Sequence, residues 1–172
     1  MSKDGFTEFS AQLGKICSNM GRAEGVKKAT QLVRGAAVLN APGRTGYLRD
    51  NIFADVEAAG DTAIGTVYTN VSYSPYVELG TGPKGAADHD GISPEITPAY
   101  TMEPWWIHES QIDVGAAEQY HWPYIETPEG KFYKCTGQPA RPFMYPALKD
   151  NEDEVIKILD DDIDSILKRV TK

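Results

Sequence analysis

The residues best suited to chemistry in this sequence are its three histidines, and one of them has a metal-like neighbourhood. His89 stands between Asp88 and Asp90, and a loop that presents an imidazole between two carboxylates could bind a divalent cation. The alternative, which we favour, is a solvated polar turn. His108 and His121 lie among aromatic residues, a setting typical of packed or surface histidines.

The thiols and the aspartate run offer no reactive pair. Cys17 and Cys135 have no CxxC spacing, so two free thiols are favoured over a disulfide, consistent with assembly in a reducing cytosol. No spacing supports Cys135 as a nucleophile beside a histidine. Asp160, Asp161 and Asp162 do not form a catalytic set, because consecutive helical residues point about 100° apart.

Two glycine-rich stretches, GRTG at 43–46 and GTGPKG at 80–85, have the composition of phosphate loops. Neither opens into an amphipathic helix, which anion binding at a helix N-terminus requires, so we predict turns. The sequence also has no GxSxG, Walker or HExxH motif. We therefore expect no enzyme, with no catalytic, cofactor-binding or metal residues. A metal-dependent hydrolase that uses the histidine-containing segment is the distant alternative.

Length and charge suit a single domain, 1–172, that associates with copies of itself. No stretch approaches the ~20 apolar residues of a membrane span, so we expect no membrane partner. The net charge of −8 is divided into +5 over residues 1–49 and −13 over residues 50–172. Complementary ends favour head-to-tail contact, and two solvated helix faces are the alternative. The net acidity argues against a protein that grips nucleic-acid phosphates.

The elements that position these residues begin with a long helix and a hairpin. Apolar residues recur at three-and-four spacing through residues 6–39, and glycines favour a break near 20–25. Alternation of apolar and polar residues predicts a β-hairpin from Ile52 to Val71 that turns at residues 59–61. A third short strand is predicted at 76–79, between Ser74-Pro75 and a glycine.

Residues 84–137 form a predicted excursion, which holds every tryptophan and histidine of the chain. So many aromatic residues favour an ordered segment over a linker. Within it, residues 124–126 and 132–135 flank a Thr-Pro-Glu-Gly turn and predict a second hairpin. The last helix is predicted from about Pro146 to Val170, with an apolar stripe opposite an acidic face.

Three motifs carry a resemblance to a known family. They are NAPGRTGYLRDNI (40–52), YSPYVELGTGP (73–83) and QPARPFMYPAL (138–148). Their order and content resemble the bacteriophage tail-component family named after gene product 10 of phage HK97. The excursion at 84–137 departs from the shortest members of that family.

The resemblance implies a structural virion protein of the head–tail junction, a tail completion, tail terminator or head–tail joining protein that forms a ring. The implied fold is α+β, with a small mainly antiparallel sheet packed by a long N-terminal helix and a C-terminal helix. The implied partners are copies of itself, six by analogy, and neighbouring neck or tail-tube proteins, in a virion assembled in the bacterial cytoplasm. The alternatives are a collar component of a headless, phage-derived bacteriocin particle or a minor head protein.

The proline-rich motif predicts an interface. Three prolines exclude an ordinary helix or central strand from this motif and hold the chain extended, so that Arg141 and Phe143 project at fixed angles, and Arg141 could pair with Glu78. The alternative is a rigid corner that only closes the core. The full set of predicted interface residues is Arg44, Arg49, Tyr76, Glu78, Pro139, Arg141, Phe143, Asp160, Asp161 and Asp162.

The ring hypothesis assigns the charges a role. The basic N-terminal end of one copy would face the acidic rim of the next copy. Acidic residues of the last helix or of the excursion would partly line the bore and repel DNA, which passes through without being bound specifically.

Overall fold

The computed structural model describes residues 21–43, 45–59 and 62–170. The chain divides into two compact units, residues 1–71 with 143–172, and residues 72–142. The first half of the predicted N-terminal helix and residues 60–61 of the predicted hairpin turn lie outside the described residues. The prediction of a single domain with an inserted excursion stays a prediction.

Helices and short strands alternate along the chain. The helices are α1 Gly21–Asn40, α2 Tyr47–Asp50, α3 Ser74–Leu79, α4 Gly82–Ala87, α5 Val114–Gln119, α6 Met144–Lys149 and α7 Glu152–Val170, with a 3₁₀ turn at Glu109–Gln111. The strands are β1 Ile52–Ala59, β2 Thr62–Thr69, β3 Trp105–His108, β4 Tyr124–Thr127 and β5 Gly130–Cys135.

In the first unit, one helix organises the core. The strands β1 and β2 pair antiparallel, with Ile52 opposite Thr69, which confirms the predicted hairpin. The long helix α1 packs on both strands and on α6 and α7. Among the described residues of this unit, the buried apolar side chains are Ala29, Val33, Ala37, Ala41, Leu48, Ile52, Val71, Phe143 and Ala147.

The second unit is built on a sheet with the order β3-β5-β4, antiparallel throughout. Its hairpin of β4 and β5 turns between Thr127 and Gly130, as the sequence predicted. Tyr133 on the central strand is 1% exposed. The strand β3 was not predicted. The α+β class is confirmed, and the described strands form two small antiparallel sheets where the family resemblance implied one.

Two local predictions are wrong, and proline explains both. Residues 76–79 lie in α3 and not in a strand, because Pro75 at the start of a helix supplies a suitable φ and lacks only an N–H that has no helical partner. The stretch predicted as a turn at 80–85 begins α4, where Pro83 occupies the same place.

The predicted last helix is two helices. α6 ends at Lys149 and α7 begins at Glu152. Pro146 lies within the first turn of α6, where backbone N–H groups have no helical partner, so the proline-rich motif does contain a short helix. Three acidic residues crowd the first turn of α7, the end that the helix dipole makes favourable for negative charge.

Candidate functional site

The second and third sequence motifs meet in a backbone network of the second unit. Thr81 and Gln138 form an antiparallel bridge, in which the Thr81 N–H donates to the Gln138 carbonyl at 2.9 Å and the Gln138 N–H donates back at 3.1 Å. The Gln138 side-chain amide donates to the Tyr76 carbonyl at 2.8 Å. The Arg141 N–H donates to the Val77 carbonyl at 2.8 Å. We call residues 76–82 with 137–141 the clasp.

Glycines allow the two segments of the clasp to approach each other. Gly80 has φ 75° and ψ 176°, a conformation open almost only to glycine. A Cβ on Gly80 would lie 2.7 Å from the Ala140 nitrogen and 3.0 Å from the Gln138 carbonyl oxygen. Gly137, with φ 80°, faces the Thr81 carbonyl so closely that a Cβ has no room.

A tyrosine outside the two motifs also ties into the clasp region. The Tyr100 hydroxyl donates to the carbonyl of Leu79 at 2.7 Å. Burial raises the pKa of Tyr100 above its usual range, which favours the protonated hydroxyl that donates this bond. Tyr100, a residue of the predicted excursion, therefore stabilises the C-terminal end of α3.

The predicted interface residues of the clasp present their side chains differently. Tyr76 is 58% exposed, and Arg141 has an exposed side chain. Glu78 and Pro139 are half-buried. Phe143 is 1% exposed and lies in the core of the first unit, as expected for the alternative of a rigid corner that closes the core. Its predicted interface role stays a prediction.

The three predicted aspartates of α7 separate into two kinds. Asp160 and Asp161 are exposed, whereas Asp162 is half-buried. The Asp162 Oδ2 atom accepts the backbone N–H of Gly25 at 3.2 Å. A Cβ on Gly25 would lie 2.8 Å from the Asp162 Cβ, so the glycine lets α7 approach α1. Asp162 therefore holds α7 on α1, and it offers less to a partner than its two neighbours.

The first motif closes a loop after α1. The Arg49 Nε–H donates to the carbonyl of Ala41 at 2.7 Å, which links the two ends of the loop. Leu48, between them in the chain, is 2% exposed. Arg44 lies outside the described residues. The predicted interface roles of Arg44 and Arg49 stay predictions.

The three histidines lie in separate places and bond to nearby backbone. The His89 Nδ1 atom lies 3.1 Å from the Gly85 carbonyl, and the His108 Nε2 atom lies 3.0 Å from the Glu129 carbonyl. Within the described part of the chain, no group of three or more His, Cys, Asp and Glu side chains could hold a metal ion. Among the helices of the described ranges, none is long and apolar enough to cross a membrane.

His121 is unusual because its backbone adopts a left-handed conformation. It has φ 51°, and among the described residues it is the non-glycine residue with positive φ. Its backbone N–H donates to the Glu118 carbonyl, and the backbone N–H of Trp122 donates to the Ala117 carbonyl. These are the two hydrogen bonds of a Schellman cap at the C-terminal end of α5. Glycine is the usual residue at this position. No sequence pattern signals this strained histidine.

The second unit has a cleft of about 540 Å³ beside this cap. Aromatic side chains and two lysines line it, Tyr120, Trp122, Lys84 and Lys134 among them. Such a lining suits an anionic group that also carries apolar surface.

The first unit has an apolar groove of about 490 Å³ between α1, β2, α6 and α7. Val26 and Val33 of α1, Val67 of β2, Leu148 of α6 and Leu159 of α7 line it. Leu148 is 54% exposed. Neither the cleft nor this groove was predicted, because each is lined by residues from distant parts of the sequence.

Comparison with known proteins identifies a class for the N-terminal part of the chain. Residues 5–80 match the model of the family described as "Bacteriophage HK97-gp10, putative tail-component". The resemblance to the HK97-gp10-like phage tail-component family is thus confirmed over these residues, which include the first motif, most of the second motif and residues 76–80 of the clasp. The third motif lies outside the match. The searches among curated proteins and among solved structures each found no match.

Proposed function

We propose that this chain is a structural virion protein of the head–tail junction, which assembles head-to-tail as a ring around the DNA channel. The match of residues 5–80 to a phage tail-component family supports a tail or head–tail structural role. In this proposal the protein catalyses no reaction. Its histidines bond to backbone carbonyls or cap a helix, and these are structural uses.

The observation that carries the ring proposal is the segregated charge on the two long helices of the first unit. Asp160, Asp161 and Asp164 are exposed on α7, while Lys27 and Lys28 are exposed on α1. Opposite charges on different elements of one body orient copies head-to-tail, and a contact between unlike surfaces closes into a ring when its rotation permits.

The partners follow from this arrangement. Six copies would match the symmetry of a tail tube, and neighbouring neck or tail-tube proteins would bind the two faces of the ring. Carboxylates that face the bore would repel the phosphates of DNA and leave the genome free to pass.

Charge reversal tests the ring. We expect wild-type protein to form a closed oligomer by mass photometry and negative-stain microscopy, alone or with purified tail tubes. The double variant Asp160→Lys/Asp161→Lys should weaken assembly, and added salt should weaken wild-type assembly, because exposed charges are screened within about 10 Å at 0.1 M salt. Asp162 is left unchanged because it supports the fold.

The matched control reverses two exposed carboxylates of the other unit, Glu95→Lys/Glu103→Lys, which changes the net charge equally. If both double variants assemble alike, α7 is not the seam. A wild-type protein that stays monomeric even with tail tubes present would overturn the ring. Salt-dependent binding to DNA in a gel-shift assay would contradict free passage of the genome.

A further inference from the structure

The two edges of the hairpin formed by β1 and β2 differ in how they are protected. On the β1 edge, the Arg34 Nε–H donates to the Ile52 carbonyl at 2.8 Å. The Asp55 Oδ1 atom accepts the Val56 N–H of the same edge, also at 2.8 Å. Asp55 and Glu57 are exposed, so β1 carries charge as well. Charged side chains on an edge strand hinder its pairing with another strand.

The free edge of β2 has neither kind of protection. Its sequence, TAIGTVYT, contains no charged residue and no proline, and its ladder with β1 has no bulge over the 8 residues of the strand. Within the described part of the chain, the backbone of β2 bonds to no backbone other than that of β1. A long, uncharged edge strand is a template for pairing with another chain.

The bonds at Ile52 and Val56 show which residues of β2 face outward. Opposite residues of an antiparallel ladder either bond to each other or both point away. Ile52 and Val56 direct their bonded groups away from β2, so the residues opposite them direct their N–H and C=O groups away from β1. By this alternation, the outward-facing residues of β2 are Ala63, Gly65, Val67 and Thr69. Gly65 is exposed, and since glycine has no side chain, its backbone is within reach of a partner.

We propose that the free edge of β2 pairs antiparallel with the β2 edge of a second copy of this chain, about a two-fold axis at Thr66. The two hairpins would then form one continuous antiparallel sheet. A two-fold contact closes at two copies, so this contact is additional to the head-to-tail contact of the proposed ring and does not depend on it.

The residues of β2 select this register. With Thr66 opposite Thr66 of the second copy, every outward-facing residue has a bonding partner, whereas a shift by one repeat leaves an end residue unpaired. The same register places Ile64 of one copy opposite Tyr68 of the other, and these side chains are 59% and 46% exposed. Pairs of aromatic with β-branched residues and pairs of threonines are favourable across strands. Because β2 is uncharged, no like charges meet.

A second β2 strand matches this edge better than the other edges of the chain. Each outward-facing residue would exchange two hydrogen bonds with its partner, which gives about eight main-chain bonds, within the range of about 10 ± 5 for typical interfaces. The edge strands of the second unit, β3 and β4, have 4 residues each, and β4 carries Glu126. Short length and charge both limit strand pairing.

Cysteine trapping in the full-length chain tests the contact. The background Cys17→Ser/Cys135→Ser removes the natural thiols, and Thr66→Cys introduces one at the proposed axis. Opposite residues of a non-hydrogen-bonded pair have Cα atoms about 4.5 Å apart, within the range of roughly 4.4–6.8 Å that a disulfide requires. After mild oxidation, we expect a disulfide-linked dimer on a non-reducing gel.

The matched control is Thr62→Cys in the same background. Thr62 is also an exposed threonine of β2 and lies on the same face as Thr66. The proposed register separates the two copies of this position by roughly 27 Å, about eight residues at 3.4 Å each. Equal trapping at both positions would show random collision of thiols and overturn the proposal, and so would the absence of a Thr66→Cys dimer.

A charge at the axis gives an independent readout. Thr66→Lys would place two like charges opposite each other, so we expect the dissociation constant of the dimer, measured by sedimentation equilibrium, to rise about tenfold or more. Ala59→Lys adds the same charge at an exposed position of β1 away from the axis, and should change this constant by less than about twofold. Equal dissociation constants for the two variants would contradict the proposal. Circular dichroism checks that both variants fold, and the trapping experiment decides if either does not.

The outcomes separate this contact from the proposed ring. Rings that form without a Thr66→Cys disulfide would refute the pairing of β2 and leave the ring intact. A Thr66→Cys dimer from a chain that forms no ring, even with tail tubes, would support the pairing and refute the ring. Hydrogen exchange at the Gly65 and Val67 amides should slow as the concentration of the chain rises. Slowing that requires purified tail tubes would show that another protein occupies this edge, and would overturn the proposal.

Discussion

Gly80 is a position at which one added methyl group should strongly disturb the clasp. Its φ of 75° and ψ of 176° lie in a region that other residues adopt at a cost of about 1–3 kcal/mol. An added Cβ would also meet the Ala140 nitrogen at 2.7 Å and the Gln138 oxygen at 3.0 Å. Both are backbone atoms held by hydrogen bonds, so they cannot move aside as a flexible side chain would.

The two costs set the expected magnitude for Gly80→Ala. Overpacking of a well-packed site costs about 1–3 kcal/mol, and alanine returns about 0.4–1 kcal/mol by restricting the unfolded chain. We therefore expect a net destabilisation of about 1–5 kcal/mol. For a unit whose total stability is of order 5–15 kcal/mol, that is a large fraction.

The chain allows the effect to be assigned to one unit. All three tryptophans lie in residues 72–142, so tryptophan fluorescence reports urea unfolding of the second unit. The long helices α1 and α7 lie in the other unit and dominate the helical circular dichroism. Gly80→Ala should lower the fluorescence midpoint more than the dichroism midpoint.

Gly35→Ala is the matched control. Gly35 is an exposed residue of α1, and a Cβ there would meet no atom within 4 Å. The same substitution should therefore stabilise the first unit by about 1 kcal/mol, because alanine is the better helix former. Tryptophan fluorescence also gives the free energy of unfolding of the second unit. If this free energy for Gly80→Ala stays within about 0.5 kcal/mol of the wild-type value, the view that the clasp is rigid is refuted.

Three further substitutions have defined outcomes. His121→Gly should stabilise the second unit by about 1 kcal/mol, because glycine adopts a positive φ without the steric clash that a Cβ atom causes. The free energy of unfolding from urea melts followed by tryptophan fluorescence checks this. Asp162→Ala should destabilise the first unit by about 1–2 kcal/mol, because the hydrogen bond from the Gly25 N–H of α1 is lost. Asp160→Ala should stay within about 0.5 kcal/mol of the wild type, and urea melts followed by circular dichroism measure both variants. The Lys149 ammonium lies 2.6 Å from the Glu152 carboxylate, donates a hydrogen bond to it and lowers the pKa of Glu152, so Lys149→Met should raise that pKa toward its usual range in a carboxyl NMR titration. Because the wild-type pKa is depressed in the folded state, the stability that the pair contributes is present above the unfolded-state pKa and is lost as the pH falls through the folded-state pKa. The stabilities of the two proteins should therefore converge at low pH.

The sequence predicted the elements that have long periodic patterns. The second half of the N-terminal helix, the hairpin of β1 and β2 and most of the last helix each show a repeated apolar pattern that few alternatives share. The hairpin of β4 and β5 was predicted from its turn residues.

The misread elements are short or depend on distant partners. Four residues, Tyr76 to Leu79, fit both a strand and a single helical turn, and Pro75 decides between them. The strand β3 has no alternation of its own and exists because Trp105 to His108 pair with β5. Such pairing between distant segments is not encoded in the local pattern.

The candidate site could be predicted only in part, because backbone atoms make most of it. The sequence marked both motifs of the clasp and their prolines, but hydrogen bonds between main chains have no side-chain signature. The aspartate run shows the same limit, since only the packing of α7 on α1 separates half-buried Asp162 from its exposed neighbours.

The placement of unusual residues is compatible with the proposed structural role. In an active site, residues with perturbed pKa values or strained backbones line one cavity in which reactive side chains converge. Among the described residues with positive φ, Gly80 and Gly137 let two backbone segments meet, and His121 ends a helix. His89 and His108 each bond to a carbonyl of their own unit. Rigid backbone contacts of this kind keep a surface in one conformation, so in the proposed ring a neighbouring copy would bind that surface with little further loss of entropy.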